Sequence, residues 1–130
     1  MYAQPANAAT QYQSIGVSTG IESANPAELV HLLFEGAVAR LRAARGHIER
    51  NEIARKGETL GAAADIIIEL QRSLDMDKGG EFAERLDALY DYMLMQIARA
   101  NLNNDVDKVD EVVNLLDPIR DAWKQTAGHH

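Results

Sequence analysis

The feature that most constrains this chain is a reversal signal between two apolar patterns of helical period. Ser73-Leu74-Asp75-Met76-Asp77-Lys78-Gly79-Gly80-Glu81 leads into Leu86-Asp87-Ala88-Leu89-Tyr90-Asp91-Tyr92-Met93. Leu74 closes one pattern, and Phe82, Leu86, Leu89 and Met93 open the next. Gly79-Gly80 supplies backbone that tolerates positive φ, the usual need where a helix stops and turns. Two long amphipathic helices joined by so short a corner must lie antiparallel on each other.

The flanking sequence supplies a second pair. Asn25-Pro26-Ala27-Glu28 is a helix start: Asn25 caps, Pro26 suits the first helical position and Glu28 completes a capping box. The stripe Val30, Phe34, Ala37, Leu41, Ala44, Ile48 then alternates spacings of four and three, with Leu29 and Leu33 widening it. A second helix is expected over roughly 52–74, with Ile53, Leu60, Ala63, Ile67, Leu70 and Leu74 inward. Gly57 and Gly61 weaken its early turns, each by up to about 1 kcal/mol relative to Ala. The third helix, over roughly 81–102, turns Phe82, Leu86, Leu89, Met93, Ile97 and Ala100 inward and ends at the polar break Asn101–Asp105. Asn104 or Asp105 caps a fourth helix with stripe Val106, Val109, Val113, Leu116, Ile119, Trp123. Pro118 lies within that stripe, removes one helical hydrogen bond and predicts a kink rather than a break, because the stripe continues past it. The expected fold is all-α: an antiparallel up-down-up-down four-helix bundle over residues 25–125.

Residues 1–24 carry apolar side chains only singly, among them Tyr12, Ile15 and Val17, and read as a mostly irregular N-terminal arm whose anchors can dock as a lid. Residues 126–130 read as a disordered tail, and Gly128-His129-His130 is assigned no function. The chain of 130 residues is long enough for one domain with a sizeable core. It has no cysteine, so disulfides, thiolate metal sites and a cysteine nucleophile are excluded. A net charge of −7 argues against nucleic acid or an anionic membrane as partner. No apolar run approaches bilayer length, and the N-terminus lacks the charged and apolar regions of a signal peptide, so a cytoplasmic location is expected.

Little in the chain reads as catalytic machinery. Glu28-Leu29-Val30-His31 has the Glu-x-x-His spacing that di-iron bundles use twice, but His47, His129 and His130 supply no second such pair. Asp75-Met76-Asp77-Lys78-Gly79-Gly80 lacks the spaced acceptors and closing glutamate of a calcium loop. Asp87 and Asp91, four apart, fit a solvated helix face. What the four stripes leave over is apolar and amide surface: Ile66, Ile68, Tyr90, Met95, Val112 and Leu115, with Asn101 and Asn104 able to bond a partner's backbone or to cap. Two readings of that surplus stay open, a wider core and a groove for a partner helix.

From Asn25 to Lys124 the chain resembles the flagellar secretion chaperone family FliS. The likeness rests mainly on Ser-Leu-Asp-Met-Asp-x-Gly-Gly and Leu-Asp-Ala-Leu-Tyr-Asp-Tyr-Met. Asn-Pro-Ala-Glu-Leu at 25–29, Leu-Leu-Phe-Glu-Gly-Ala at 32–37, Ala-Asn-Leu-Asn-Asn-Asp at 100–105 and Arg-Asp-Ala-Trp-Lys at 120–124 add to it. Tyr12 with Val17 and Thr19 is similar to the family's N-terminal Tyr…Val-x-Thr, whereas Ser23-Ala24-Asn25-Pro26 stands where the family has Thr-Ala-Ser-Pro. The resemblance implies an antiparallel four-helix bundle without catalytic activity or cofactor. It implies that the chain binds the C-terminal region of flagellin in the cytosol, prevents premature polymerisation and delivers flagellin to the export gate. The expected partner-binding residues are Tyr12, Ile15, Ile66, Ile68, Tyr90, Met95, Asn101, Asn104, Val112 and Leu115. The alternatives from other classes are a carboxylate-bridged metal-binding bundle enzyme and a generic helical adaptor.

Overall fold

The computed structural model describes residues 26–127, with side chains through 124. Those residues form four helices: α1 (Pro26–Glu49), α2 (Ile53–Arg72), α3 (Met76–Asn103) and α4 (Val106–Ala127). Each packs on the next in sequence and α4 returns to α1, giving the expected antiparallel up-down-up-down ring. The arm and the last residues of the tail lie outside the described residues.

The core follows the stripes and is wider than any one of them. Leu33, Phe34, Ala37, Val38, Leu41 and Ala44 are buried on α1, and Leu60, Ala63, Ile66, Ile67 and Leu70 on α2. Tyr90, Met93, Ile97 and Ala100 from α3 meet Val109, Val112, Val113 and Leu116 from α4. Ile66, Tyr90 and Val112, expected as surplus surface, are core residues. The reason is geometric: a helix in a closed ring touches two neighbours, so it needs an apolar face broader than a single seam. Leu86, Leu89, Leu115 and Ile119 are half-buried against that core. Burial pushes the Tyr90 phenol up, so the ring stays neutral.

The corner between α2 and α3 departs from expectation. Asp75 caps a helical turn five residues earlier than periodicity predicts, its carboxylate accepting from the Lys78 N–H at 3.0 Å. The turn closes with the Gly79 N–H donating to the Asp75 carbonyl at 2.7 Å. Gly80 then breaks the helix at φ 52°, ψ −129°, and regular α3 resumes beyond it. The two glycines serve different needs. Gly80 supplies a conformation that L side chains rarely adopt, whereas a Cβ on Gly79 would lie 2.6 Å from that of Ala83.

Three inward assignments fail at helix ends. Phe82 is 71% exposed and Ala83 takes the buried position. Gln71, in the last turn of α2, bonds Asp87 and Asp91, so the first turns of α3 run past the end of α2 and Phe82 has no helix there to pack on. Ile53 is exposed at the first position of α2, and Lys56, four before Leu60, takes the stripe position instead. Trp123 lies at the bundle edge, its Nε1–H donating to the Ala27 carbonyl at 3.0 Å. Pro118 does not end α4, which continues to Ala127.

These burials set a contrast in stability. Leu41→Ala, at a fully buried site, is expected to cost about 2–5 kcal/mol in denaturant unfolding, and Phe82→Ala to stay within about 0.5 kcal/mol of the parent.

Candidate functional site

The site builds up from the pairing of α2 with α3. Two polar bridges hold these helices together, one toward each end. At the upper end Lys56, a residue only 6% exposed, donates from its ammonium to the Asn101 carbonyl at 2.9 Å and to the Asn104 side-chain oxygen. A lysine here neutralises the carbonyl end of α3, where the helix dipole favours a cation. Asn104 adopts the left-handed conformation that closes α3, its N–H donating to the Ala100 carbonyl. Asp105 then caps α4 through the Asp107 N–H at 3.0 Å. At the lower end the Gln71 amide donates to Asp87 Oδ1 at 2.9 Å and to Asp91 Oδ1 at 2.7 Å.

Between the bridges the outward edge of α2 consists of Gly57, Gly61, Ala64 and Ile68, spaced four, three and four. At the common rise of the two helices, Gly57 lies near the level of Leu102, Gly61 near Ala98 and Ala64 near Met95. Met95 is 46% exposed and Leu102 80%, while Leu94 and Ile68 are half-buried. The result is a shallow furrow with a glycine–alanine floor on one side and an apolar wall on the other. A Cβ added at Gly57 or Gly61 would meet nothing within 4 Å, so no packing inside this chain requires either glycine.

The far side of α3 is tied to α4. Glu111 accepts from the Tyr92 hydroxyl at 2.6 Å and from the Gln96 amide at 2.7 Å, and Arg99 donates to the Gln96 oxygen. The Tyr92 and Gln96 hydrogen bonds hold the Glu111 carboxyl below its usual range. At the α1–α2 corner, where Asn51 takes positive φ, Glu52 lies 2.6 Å from His47 Nδ1 and accepts from Arg50. These contacts, the one with His47 first, also lower its carboxyl. His31, of the Glu-x-x-His pair, places Nε2 3.3 Å from Glu35, and among the described residues no three potential metal ligands cluster.

Of the residues expected at a partner surface, Ile68 is half-buried on α2 and Met95 exposed on α3, the two helices that border the furrow. Asn101 and Asn104 form its upper end, and Asn104 spends its side-chain oxygen on Lys56 within the fold. Leu115 is half-buried on α4, away from this furrow. Ile66, Tyr90 and Val112 lie beneath the surface, and Tyr12 and Ile15 fall outside the described residues. Sequence reasoning missed Lys56, Gln71, Gly57, Gly61 and Leu102. The signals were present: Lys56 sits in phase with Leu60, Ala63, Ile67 and Leu70, and the small residues at 57, 61 and 64 keep helical spacing along the flank beside that stripe.

Fold and furrow together define a small antiparallel helical bundle that leaves apolar side chains exposed along the α2–α3 seam. The family model described as "Flagellar protein FliS" matches residues 8–130. The chain is 42% identical to "Flagellar secretion chaperone FliSB" of Pseudomonas aeruginosa, over 95% of this chain and 96% of that one. It is 43% identical to "Flagellar secretion chaperone FliS" of Salmonella typhimurium, over 88% and 85%. A solved structure titled "Crystal structure of flagellar chaperone from bacteria" superposes with a TM-score of 0.75 at 20% identity, over 98% of this chain and all of that one, and supports the fold. The chain belongs to the FliS family of flagellar secretion chaperones. Among the described residues no helix is long and apolar enough to cross a membrane.

The lowered carboxyls give a pH dependence. Glu52 and Glu111 have folded pKa values below the ordinary 4.5, so their contribution is fully present above that pH and is lost as pH falls through the folded values. Glu69, raised by partial burial, acts in the opposite sense. Denaturation midpoints are expected to fall between pH 5 and pH 3, and Glu111→Gln to shrink that fall while lowering the midpoint at pH 7.

Proposed function

We propose that this chain is a cytoplasmic export chaperone that holds the C-terminal region of flagellin and delivers it to the flagellar type III export apparatus, preventing premature polymerisation. Membership of the FliS family supports this reading. The observation that carries it is the α2–α3 furrow, whose glycines have open space above them and whose wall is apolar. A flagellin terminus that is unfolded alone can gain helix by laying an apolar face along such a furrow. Buried area drives that association and ordering entropy opposes it. Ile68, Met95, Leu102 and Ala98 would contact the substrate helix, while Gly57, Gly61 and Ala64 would let its backbone come close. No nucleic acid, membrane insertion, cofactor or catalytic step belongs to this reading, and the export gate is its second partner.

The test is calorimetry with a flagellin C-terminal fragment. Stoichiometric binding with a negative heat-capacity change is expected, and absence of binding by any fragment from the cognate flagellin rejects the function. Gly61→Leu locates the site. It should leave the free chain as stable or more stable, since leucine favours a helix over glycine by roughly 1 kcal/mol, yet weaken flagellin binding by tenfold or more. Unchanged affinity would place the substrate elsewhere on the bundle.

In the same reading we propose that residues 1–24, which lie outside the described residues, act as a displaceable lid through Tyr12, Ile15 and Val17. A tethered segment acts at an effective concentration in the millimolar range, so weak docking suffices to cover a groove. A lid closed nine-tenths of the time weakens the substrate about tenfold, or roughly 1.4 kcal/mol. Removing residues 1–17 is expected to tighten flagellin binding by about that factor with the bundle still folded. Weaker binding would instead mean that Tyr12 contacts the substrate itself.

A further inference from the structure

With no cysteine in the chain, methionine thioethers are its only sulfur, and all three methionines among the described residues lie on α3. They are unequal. Met93 is fully buried in the core, Met95 is 46% exposed two residues later on the opposite face, and Met76 is 44% exposed at the start of the helix. Only Met95 combines access to solvent with a place in the furrow, near the level of Ala64 and one helical turn either side of Asp91 and Ala98.

We infer that Met95 is an oxidation site through which hydrogen peroxide switches off substrate binding, an inference that rests on the furrow reading above. The chemistry is a two-electron oxygen transfer. The thioether sulfur attacks one peroxide oxygen, the O–O bond breaks, a sulfur–oxygen bond forms, and the other oxygen leaves as water once protons are redistributed. Sulfur is oxidised and peroxide reduced. The product turns a flexible apolar side chain into a polar, chiral one. A substrate helix seated in the furrow must then cover a polar, hydrated sulfoxide where an apolar thioether stood, and must strip water from its oxygen to do so. The free bundle is barely perturbed, because Met95 supports none of the buried core. Met93 would be destructive if oxidised, and its burial protects it.

The experiment uses the full chain treated with hydrogen peroxide, with peptide mass spectrometry read beside calorimetric affinity for the flagellin C-terminal fragment. Met95 and Met76 are expected to gain one oxygen while Met93 does not, with the helical fold kept and affinity falling on the order of tenfold. Treatment with the two methionine sulfoxide reductases, which act on opposite epimers, should restore it. The affinity of Met95→Leu, whatever its starting value, should not change on peroxide treatment, and Met76→Leu should lose affinity as the parent does. The inference is overturned if Met95 resists peroxide under conditions that modify Met76, or if Met95→Leu loses as much affinity as the parent. An untreated parent that binds no fragment defeats the underlying furrow reading as well, whereas tight binding that survives Met95 oxidation defeats this inference alone.

Discussion

The structure depends on the close burial of α1 between α2 and α4. Phe34, Ala37, Val38, Leu41 and Ala44 are all nearly or wholly inaccessible, and α1 packs most extensively against these two neighbours. Ala37 and Ala44 on α1 and Ala63 on α2 are wholly buried, and small residues at such positions let packed helices approach closely. Phe34 and Leu41 fill the volume between those contacts. Because interiors are close-packed, the three-helix unit behaves as a rigid base whose geometry the remaining helix must accept.

That helix is α3, and it is held differently. Its inner face joins the core through Tyr90, Met93, Ile97 and Ala100, but its flanks are fixed by polar bridges: Lys56 and Gln71 from α2, Glu111 from α4. Exposed ion pairs contribute little by themselves. The Lys56 bridge differs because the residue is largely buried and its ammonium reaches two acceptors at the carbonyl end of α3. Bridges at both ends of the α2–α3 contact leave its middle without a polar bridge among the described residues, with small residues on the α2 side. The furrow exists because the small residues of α2 face a stretch where nothing crosses.

On the proposed function, the chain must keep apolar surface available to a substrate without joining it to copies of itself. Here the surface is divided: Ile68 and Leu94 are half-buried, Met95 and Leu102 are exposed, and the acidic pair Asp87 and Asp91 borders one end. Scattered exposure of this kind is compatible with solubility, whereas a continuous apolar patch of the same area would invite association. The net charge of −7 adds mutual repulsion between copies.

The sequence by itself determined the number of helices, their order, their antiparallel arrangement and most of the core, because alternating spacings of four and three are local and survive any packing arrangement. It also determined the family, through the Asp75–Gly80 corner and the stretch that follows it. What it could not determine was where each helix ends relative to its neighbours. Phe82 keeps perfect phase with Leu86 and Leu89 yet is exposed, since α2 has already ended beside it; Lys56 keeps phase with Leu60 and is buried, since the carbonyl end of α3 lies beside it. Periodicity reports direction around a helix axis and not overlap along it. The same limit hid the proposed binding surface: Tyr90 and Val112 carry the composition of a partner contact but fill space between two neighbours, while Gly57 and Gly61 read as mere weak points until the tertiary structure showed that nothing stands above them. Which apolar residues are left without a partner is a property of the assembled ring, because it depends on what the other three helices fail to cover.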